Sequence, residues 1–84
     1  MITPQDLRIH DTIRASHAHG FVVIGAVIQL APDTIWIEMT ALVHPSALPD
    51  DISSVYTGSR QVMFQLRADC WVDGAGDYFS IEKA

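Results

Sequence analysis

The chain has 84 residues, which is enough for one small domain and too few for an extensive core. Ten Asp and Glu residues against five Lys and Arg give a formal net charge of −5. This balance disfavours nucleic acid and anionic membranes as partners, because both are bound through concentrated basic faces. Hydrophobic residues make up 49% of the sequence, so we expect some apolar surface to be left for a partner or for a second copy.

Three features predict the compartment. The single cysteine, Cys70, has no partner for an internal disulfide, which indicates a reducing environment. The N-terminal sequence MITPQDLR lacks the basic and apolar regions of a signal peptide. The longest apolar run, residues 21–28, is far shorter than the roughly 20 residues that span a bilayer as a helix. We therefore expect a cytoplasmic protein with one domain over residues 1–84, and no membrane partner.

The N-terminal region predicts one helical turn and one strand. Thr3 can cap a helix, a proline follows at its first position, and Asp6 can accept hydrogen bonds there. Residues 9–15 then alternate between apolar and polar side chains, which predicts a strand with its odd-numbered residues inward. Asp11 interrupts the inward face, and we expect its carboxylate to accept local backbone N–H groups. Residues 16–20 are polar and end in glycine, as a turn does.

A long hairpin is predicted over residues 21–42. Its first strand is apolar on both faces, and Gly25 in its middle predicts a bend or a bulge. Residues 31–34 contain proline and aspartate and predict the connecting turn. In the second strand we expect Ile35, Ile37, Met39 and Ala41 to face inward, and Trp36, Glu38 and Thr40 to face outward.

The longest irregular stretch is the loop over residues 43–60. It contains two prolines, several Ser and Thr residues, and the adjacent pair Asp50 and Asp51. This composition disfavours a regular element, apart from one turn around residues 46–48. Loops of this length in small domains often carry function.

Residues 61–72 alternate without exception, which predicts one long strand. Its even-numbered residues, including Cys70, are expected to face inward, and Met63 and Trp71 to face outward. Residues 73–77 predict a hairpin loop with two glycines at positive φ, and residues 78–81 predict a short closing strand. Five strands, two of them long and bent, predict an all-β fold that curls into a small barrel.

Residues 6–14 (DLRIHDTIR), 25–27 (GAV) and 33–37 (DTIWI) resemble SH3-like β-barrel domains of bacterial and phage accessory proteins. In those domains an aspartate opens the first strand, a Gly-x-Val strand follows, and a tight turn leads to an alternating third strand. The resemblance covers about half of the chain and departs at His10, where the family usually has glycine. It implies a five-stranded, strongly bent barrel that binds proteins, peptides or nucleic acids. Few such barrels are enzymes, and the resemblance carries no residue roles.

Three motifs with possible chemistry have simpler explanations. His17 and His19 could share a metal only if His10, His44 or Asp11 converged on them, and histidines in a polar turn are more often solvated. The loop at 73–77 lacks the closing glutamate of a calcium site. Cys70 is expected on an apolar face, where a thiol is unreactive. No nucleophile elbow, phosphate-binding glycine loop or dinucleotide motif is present. We predict neither an enzyme nor a metal site nor a cofactor.

Outward aromatic and aliphatic residues predict a protein-binding surface. An alternative stays open, in which some of them cap the open ends of the barrel, because a one-residue change of register exchanges the two faces of a strand. The residues that we expect at the interface are Trp36, Trp71, Met63, Ile24, Tyr56, Asp50 and Asp51.

These features are compatible with two functions. The first is a small acidic protein-binding module that dimerises or docks on another protein, such as an inhibitor or accessory factor from a phage or mobile element. The alternative is a nucleic-acid-associated barrel, which would need the four arginines on one face and Trp36 or Tyr56 stacking on bases.

Overall fold

The strands close into an antiparallel barrel in chain order, with the last strand pairing with the first. The computed structural model describes residues 2–18, 20–43, 60–74 and 76–84, except the side chain of residue 60. The elements in this part of the chain are a 3-10 turn (Pro4–Asp6), β1 (Thr12–His17), β2 (Val22–Leu30), β3 (Thr34–Val43), β4 (Arg60–Arg67), β5 (Cys70–Asp73) and β6 (Tyr78–Lys83). The all-β prediction is confirmed for the described residues, which form six strands where five are predicted for the chain. Strands three places apart, such as β3 and β6, therefore lie on opposite sides of the barrel.

The core fills the barrel with side chains from the inward faces of the strands. Every second residue within residues 21–27, 35–39 and 78–81 is buried, which confirms the inward face predicted for residues 35–39. The described part of the chain contains no helix that is long and apolar enough to cross a membrane. The buried apolar cluster comprises Leu7, Ile13, Ala15, Phe21, Val23, Val27, Ile35, Ile37, Met39, Phe64, Trp71, Phe79 and Ile81.

The predicted N-terminal turn is confirmed as a single 3-10 turn. The backbone N–H of Thr3 donates to Oδ2 of Asp6 at 2.8 Å, and the Thr3 hydroxyl donates to the same oxygen at 3.1 Å. Leu7 follows the turn and is buried, so it joins this segment to the core. The N-terminal segment therefore covers part of one end of the barrel.

The first strand starts later than predicted, at Thr12 rather than at residue 9. His10 has a φ of +79°, which turns the chain and leaves Ile9 exposed. This left-handed conformation favours glycine, the residue usual at this position in the family that the segment resembles. The expected role of Asp11 is confirmed, because its Oδ2 accepts the backbone N–H of Arg8 at 2.9 Å.

A bulge at the centre of the β2–β3 hairpin confirms the prediction for Gly25. Ile24 pairs with Ala41 and Gly25 pairs with Met39, so Thr40 is an extra residue on β3. An extra residue moves the following side chains to the other face of the strand. For this reason the prediction that Ala41 faces inward is wrong: Ala41 is exposed, and Leu42 packs against the core instead.

The long strand predicted over residues 61–72 is two strands joined by a tight turn. Arg67 pairs with Cys70 and Leu66 pairs with Trp71, which leaves a two-residue connection. Residues directly opposite each other on paired strands point to the same face. Because Leu66 lies opposite Trp71, even-numbered residues of β4 share a face with odd-numbered residues of β5. The predicted orientations of Trp71 and Cys70 are therefore wrong. Trp71 is 1% exposed in the core, and the Cys70 thiol is on the outside.

The loop between β5 and β6 is the predicted hairpin connection. The backbone N–H of Asp73 donates to the Asp77 carbonyl at 3.0 Å, and Oδ1 of Asp73 accepts the Asp77 N–H at 2.9 Å. Gly76 has a φ of +90°, whereas Gly74 does not require positive φ. The expectation for the glycines thus holds at one of the two positions.

Candidate protein-interaction surface

An apolar surface lies on the outside of β2, β3 and β4. Trp36 on β3 pairs with Met63 on β4 and with Gln29 on β2. Ile28 is the extra residue of a second bulge, this one on β2, beside this row, and Ile24 lies farther along β2. Met63 is 37% exposed and Ile28 is 36% exposed, while Trp36 and Ile24 are half-buried. We call Ile24, Ile28, Trp36 and Met63 the apolar face.

Strand alternation explains why these side chains point outward. Their neighbours Val27, Ile35, Ile37 and Phe64 occupy the interior, so the residues between them project from the barrel. The core already contains the indole of Trp71, which leaves Trp36 as the outward tryptophan. The apolar face is therefore a consequence of a filled interior rather than of misplaced core residues.

Polar residues cross and flank the apolar face. Glu38 is exposed in the next row, between Ala26 on β2 and Gln61 on β4. Gln29 belongs to the Trp36 row, and Gln65 pairs with Thr34 at the start of β3. The apolar face therefore has polar residues within it and at its edge.

The structure brings together three of the predicted interface residues. Trp36, Met63 and Ile24 share the outer surface of β2–β4. Trp71 does not belong there, because its indole is in the core and its Nε1–H donates to the Ile2 carbonyl at 3.3 Å. The other predicted residues, Tyr56, Asp50 and Asp51, lie outside the described residues, as does most of the predicted loop at 43–60.

Two of the arginines that the structure describes, Arg14 and Arg67, lie on different faces of the barrel. Arg14 is on β1 with its Nη1 3.6 Å from Oε1 of Glu82, and Arg67 is at the end of β4. Since β1 and β4 are three strands apart, these two side chains project from opposite sides of the barrel. Arg67 donates from Nε to Oε1 of Gln65 at 3.2 Å. This arrangement does not provide the single basic face that the nucleic-acid alternative requires.

The prediction that His17 is solvated is wrong. Its ring stacks on Phe21 at a centroid distance of 4.3 Å and meets the edge of Phe79 at 5.0 Å. Its Nε2 is 3.3 Å from Oδ2 of Asp77. His19 and His44 lie outside the described residues, and no group of three or more His, Cys, Asp or Glu side chains in the described ranges could hold a metal ion.

Two carboxyl groups near the N-terminus have lowered pKa values for structural reasons. The backbone N–H of Arg8 holds the pKa of Asp11 below its ordinary value of 3.8, and the nearby ammonium of Lys83 acts in the same direction. The backbone N–H and hydroxyl of Thr3 lower the pKa of Asp6 in the same way. Hydrogen bonds from the N-terminal segment therefore favour the charged form of both carboxyl groups.

Two structural features are not evident from the sequence. The first is the bulge at Ile28, which no adjacent glycine or proline marks, although alternation along β2 places Ile28 on the same face as Ile24. Cys70 becomes accessible through a turn of Ala68 and Asp69, which lacks the Gly or Asn residues typical of tight hairpins. No protein-family model, no curated protein and no solved structure matches the chain.

Proposed function

We propose that this protein is a protein-binding module that docks through the apolar face on a different protein. The observation that carries the proposal is the pair Trp36 and Met63, adjacent and accessible on the outside of a barrel whose core is already filled. Tryptophan and methionine are enriched at interface centres, and truncating such an anchor typically weakens binding by about 2 kcal/mol or more.

The charge of the chain supports a basic partner. The net charge is −5, and Glu38 lies within the row next to Trp36. A basic partner would be attracted to a chain of this charge. A second copy docked face to face would instead bring two acidic bodies together. The composition alone favours self-association, so the experiment must distinguish a dimer of this chain from a complex with a different protein.

The proposed class is an SH3-like accessory domain, and the proposed role is an inhibitor or adaptor from a phage or mobile element. The resemblance of residues 6–14, 25–27 and 33–37 supports the class. The φ of +79° at His10, where the family usually has glycine, supports it as well. Small size and acidity suit a protein that blocks a basic surface. We do not advance the nucleic-acid alternative, since Arg14 and Arg67 lie on opposite sides of the barrel.

The test immobilises the protein through Cys70, its one cysteine, on β5 and thus across the barrel from β2. A maleimide–biotin tag at this thiol leaves the apolar face accessible to proteins from the native host. The variant is Trp36→Ser. The matched control is Tyr78→Ser, since Tyr78 is 61% exposed on β6, opposite β3. Thermal unfolding of each variant establishes that the barrel is intact.

We expect wild type and Tyr78→Ser to retain the same protein, and Trp36→Ser to bind it at least about 30-fold more weakly. Raising the salt concentration should slow association, because the partner is basic. Equal retention by Trp36→Ser would refute the proposal. Sedimentation equilibrium completes the test, because a wild-type dimer that Trp36→Ser abolishes would make a second copy the occupant.

A further inference from the structure

The barrel has a discontinuous seam between β5 and β6. The two strands pair at Trp71 with Phe79 and at Val72 with Tyr78, and the ladder then ends. A longer ladder would join residues 69–70 to residues 80–81, and among the described residues this pairing is not formed. On its other side, β6 continues to pair with β1 as far as residue 83. Within the part of the chain that the structure describes, the C-terminal half of β6 is therefore paired along one edge.

The hydrogen bonds between β6 and β1 show which backbone groups of β6 point into this seam. The backbone N–H of Ala84 donates to the Thr12 carbonyl at 3.0 Å, so even-numbered residues of β6 direct their N–H and C=O groups toward β1. The same groups of Ile81 and Lys83 must point away from β1, toward the seam. This edge thus presents two donors and two acceptors with the spacing of a β-strand.

A groove with a volume of about 350 Å³ lies along the seam. Its apolar floor consists of buried residues of β5 and β6, and exposed polar residues form its walls. The lining residues are Asp69, Cys70, Trp71, Tyr78, Phe79, Ser80 and Ile81. An open strand edge beside an apolar groove is the arrangement that accepts extended peptides as additional strands.

The charges beside the seam select a basic segment. Within the described residues, Lys83 is 3.5 Å from Asp11, Arg67 bonds to Gln65, and Glu82 is 3.6 Å from Arg14. Asp69, exposed at the end of the groove, makes no ion pair with another residue in this part of the chain. A lysine or arginine of an incoming strand would complement Asp69 and extend the Glu82 pair.

We infer that the open edge of β6 binds an extended basic segment of another protein as an added strand. The segment runs antiparallel to β6, bonds to the backbone of Ile81 and Lys83, and places a basic side chain at Asp69. This surface lies across the barrel from β3, so it is separate from the apolar face. The inference therefore goes beyond the proposed function, and either can hold without the other.

The probe is a decapeptide of alternating lysine and valine, followed by NMR with the full-length protein. In the free protein we expect the Ile81 and Lys83 amides to exchange with solvent at least about tenfold faster than those of Ser80 and Glu82, which bond to β1. A saturating concentration of the peptide should slow the exchange of the Ile81 and Lys83 amides to the rate of the β1-bonded amides. The control peptide, N-methylated at every valine, keeps charge and side chains but should not bind.

Variants separate this edge from the other surface. Asp69→Asn should weaken peptide binding about three- to tenfold, whereas Glu38→Gln, on the opposite side of the barrel, should leave it unchanged. Alkylating Cys70 with a bulky maleimide should abolish peptide binding, and Trp36→Ser should leave peptide binding unchanged. Slow exchange at Ile81 and Lys83 in the free protein, or equal binding of the N-methylated peptide, would overturn the inference. Protection that rises with protein concentration alone would overturn it too, because a second copy would then occupy the edge.

Discussion

Replacing Gly25 with alanine should destabilise the barrel at the β2–β3 bulge. A Cβ at this position would lie 2.5 Å from the Glu38 carbonyl oxygen and 3.0 Å from both the Glu38 carbonyl carbon and Cδ1 of Ile37. The isoleucine methyl can move, but the carbonyl belongs to the backbone of β3. Reaching even 3.0 Å from that oxygen requires the strands to separate by 0.5 Å, between positions that are hydrogen-bonded on both sides.

The size of the effect follows from two opposing terms. Overpacking of this kind usually costs about 1–3 kcal/mol, and contact with backbone favours the upper part of this range. Alanine restricts the unfolded chain more than glycine does, which raises the free energy of unfolding by about 0.5 kcal/mol. We therefore expect the free energy of unfolding to fall by about 2 kcal/mol and the Tm to fall by about 10 °C in a chain of this length.

Urea unfolding followed by circular dichroism measures this change, with Gly74→Ala as the matched control. A Cβ at Gly74 meets no atom within 4 Å, so the control should be as stable as the wild type or slightly more stable. If Gly25→Ala proved as stable as Gly74→Ala, the close approach of β3 to Gly25 would be wrong. The register of the β2–β3 hairpin, and with it the placement of the apolar face, would then need revision.

Three further predictions concern the turn between β4 and β5, the stability of the fold at low pH and the reactivity of the Cys70 thiol. Ala68→Gly should raise the free energy of unfolding by about 0.5–1 kcal/mol, because Ala68 has a φ of +52°; no gain in urea unfolding would contradict the observed turn. Asp11 has a lowered pKa in the folded protein, so its carboxylate stabilises the fold above the unfolded value of about 3.9, and this contribution is lost as the pH falls through the folded pKa. Asp11→Asn, which can still accept the Arg8 amide, should therefore flatten the stability profile below about pH 4, and an unchanged profile would count against the bond. The Cys70 thiol should react with an aromatic disulfide reagent within about tenfold of its rate in urea, and strong protection in the folded protein would restore the orientation predicted from the sequence.

Local chemistry made much of the fold predictable. Proline and glycine occur in few backbone settings within β proteins, so their positions are informative. They predicted the turn at residues 31–34, the loop at residues 73–77 and the bulge at Gly25, all of which the structure contains. Strand alternation then identified the buried faces of β2, β3 and β6. The same reasoning placed Trp36, Met63 and Ile24 on the outside, where they form most of the apolar face.

The errors arose where alternation continues through a break in the strand. Ala68, Cys70 and Val72 are small or apolar, so they prolong the pattern of β4 and conceal the turn. Placing Trp71 inside requires knowledge of the cross-strand pairing, which the order of residues along one strand does not contain. His17 is different, since it continues the odd-numbered inward face of β1 and could have been assigned to the core by extending that strand.

The two-residue connection between β4 and β5 makes this hairpin sensitive to insertions and deletions. Exchanging Ala68 or Asp69 for another residue leaves the count unchanged, and the indole of Trp71 stays inside. Adding one residue between Arg67 and Cys70 would require a bulge to absorb it; without a bulge the register of β5 would change by one residue, which would expose the indole and turn the thiol inward. Descendants of this chain can therefore exchange these two residues more readily than they can change their number, although position 68, at a φ of +52°, disfavours β-branched residues.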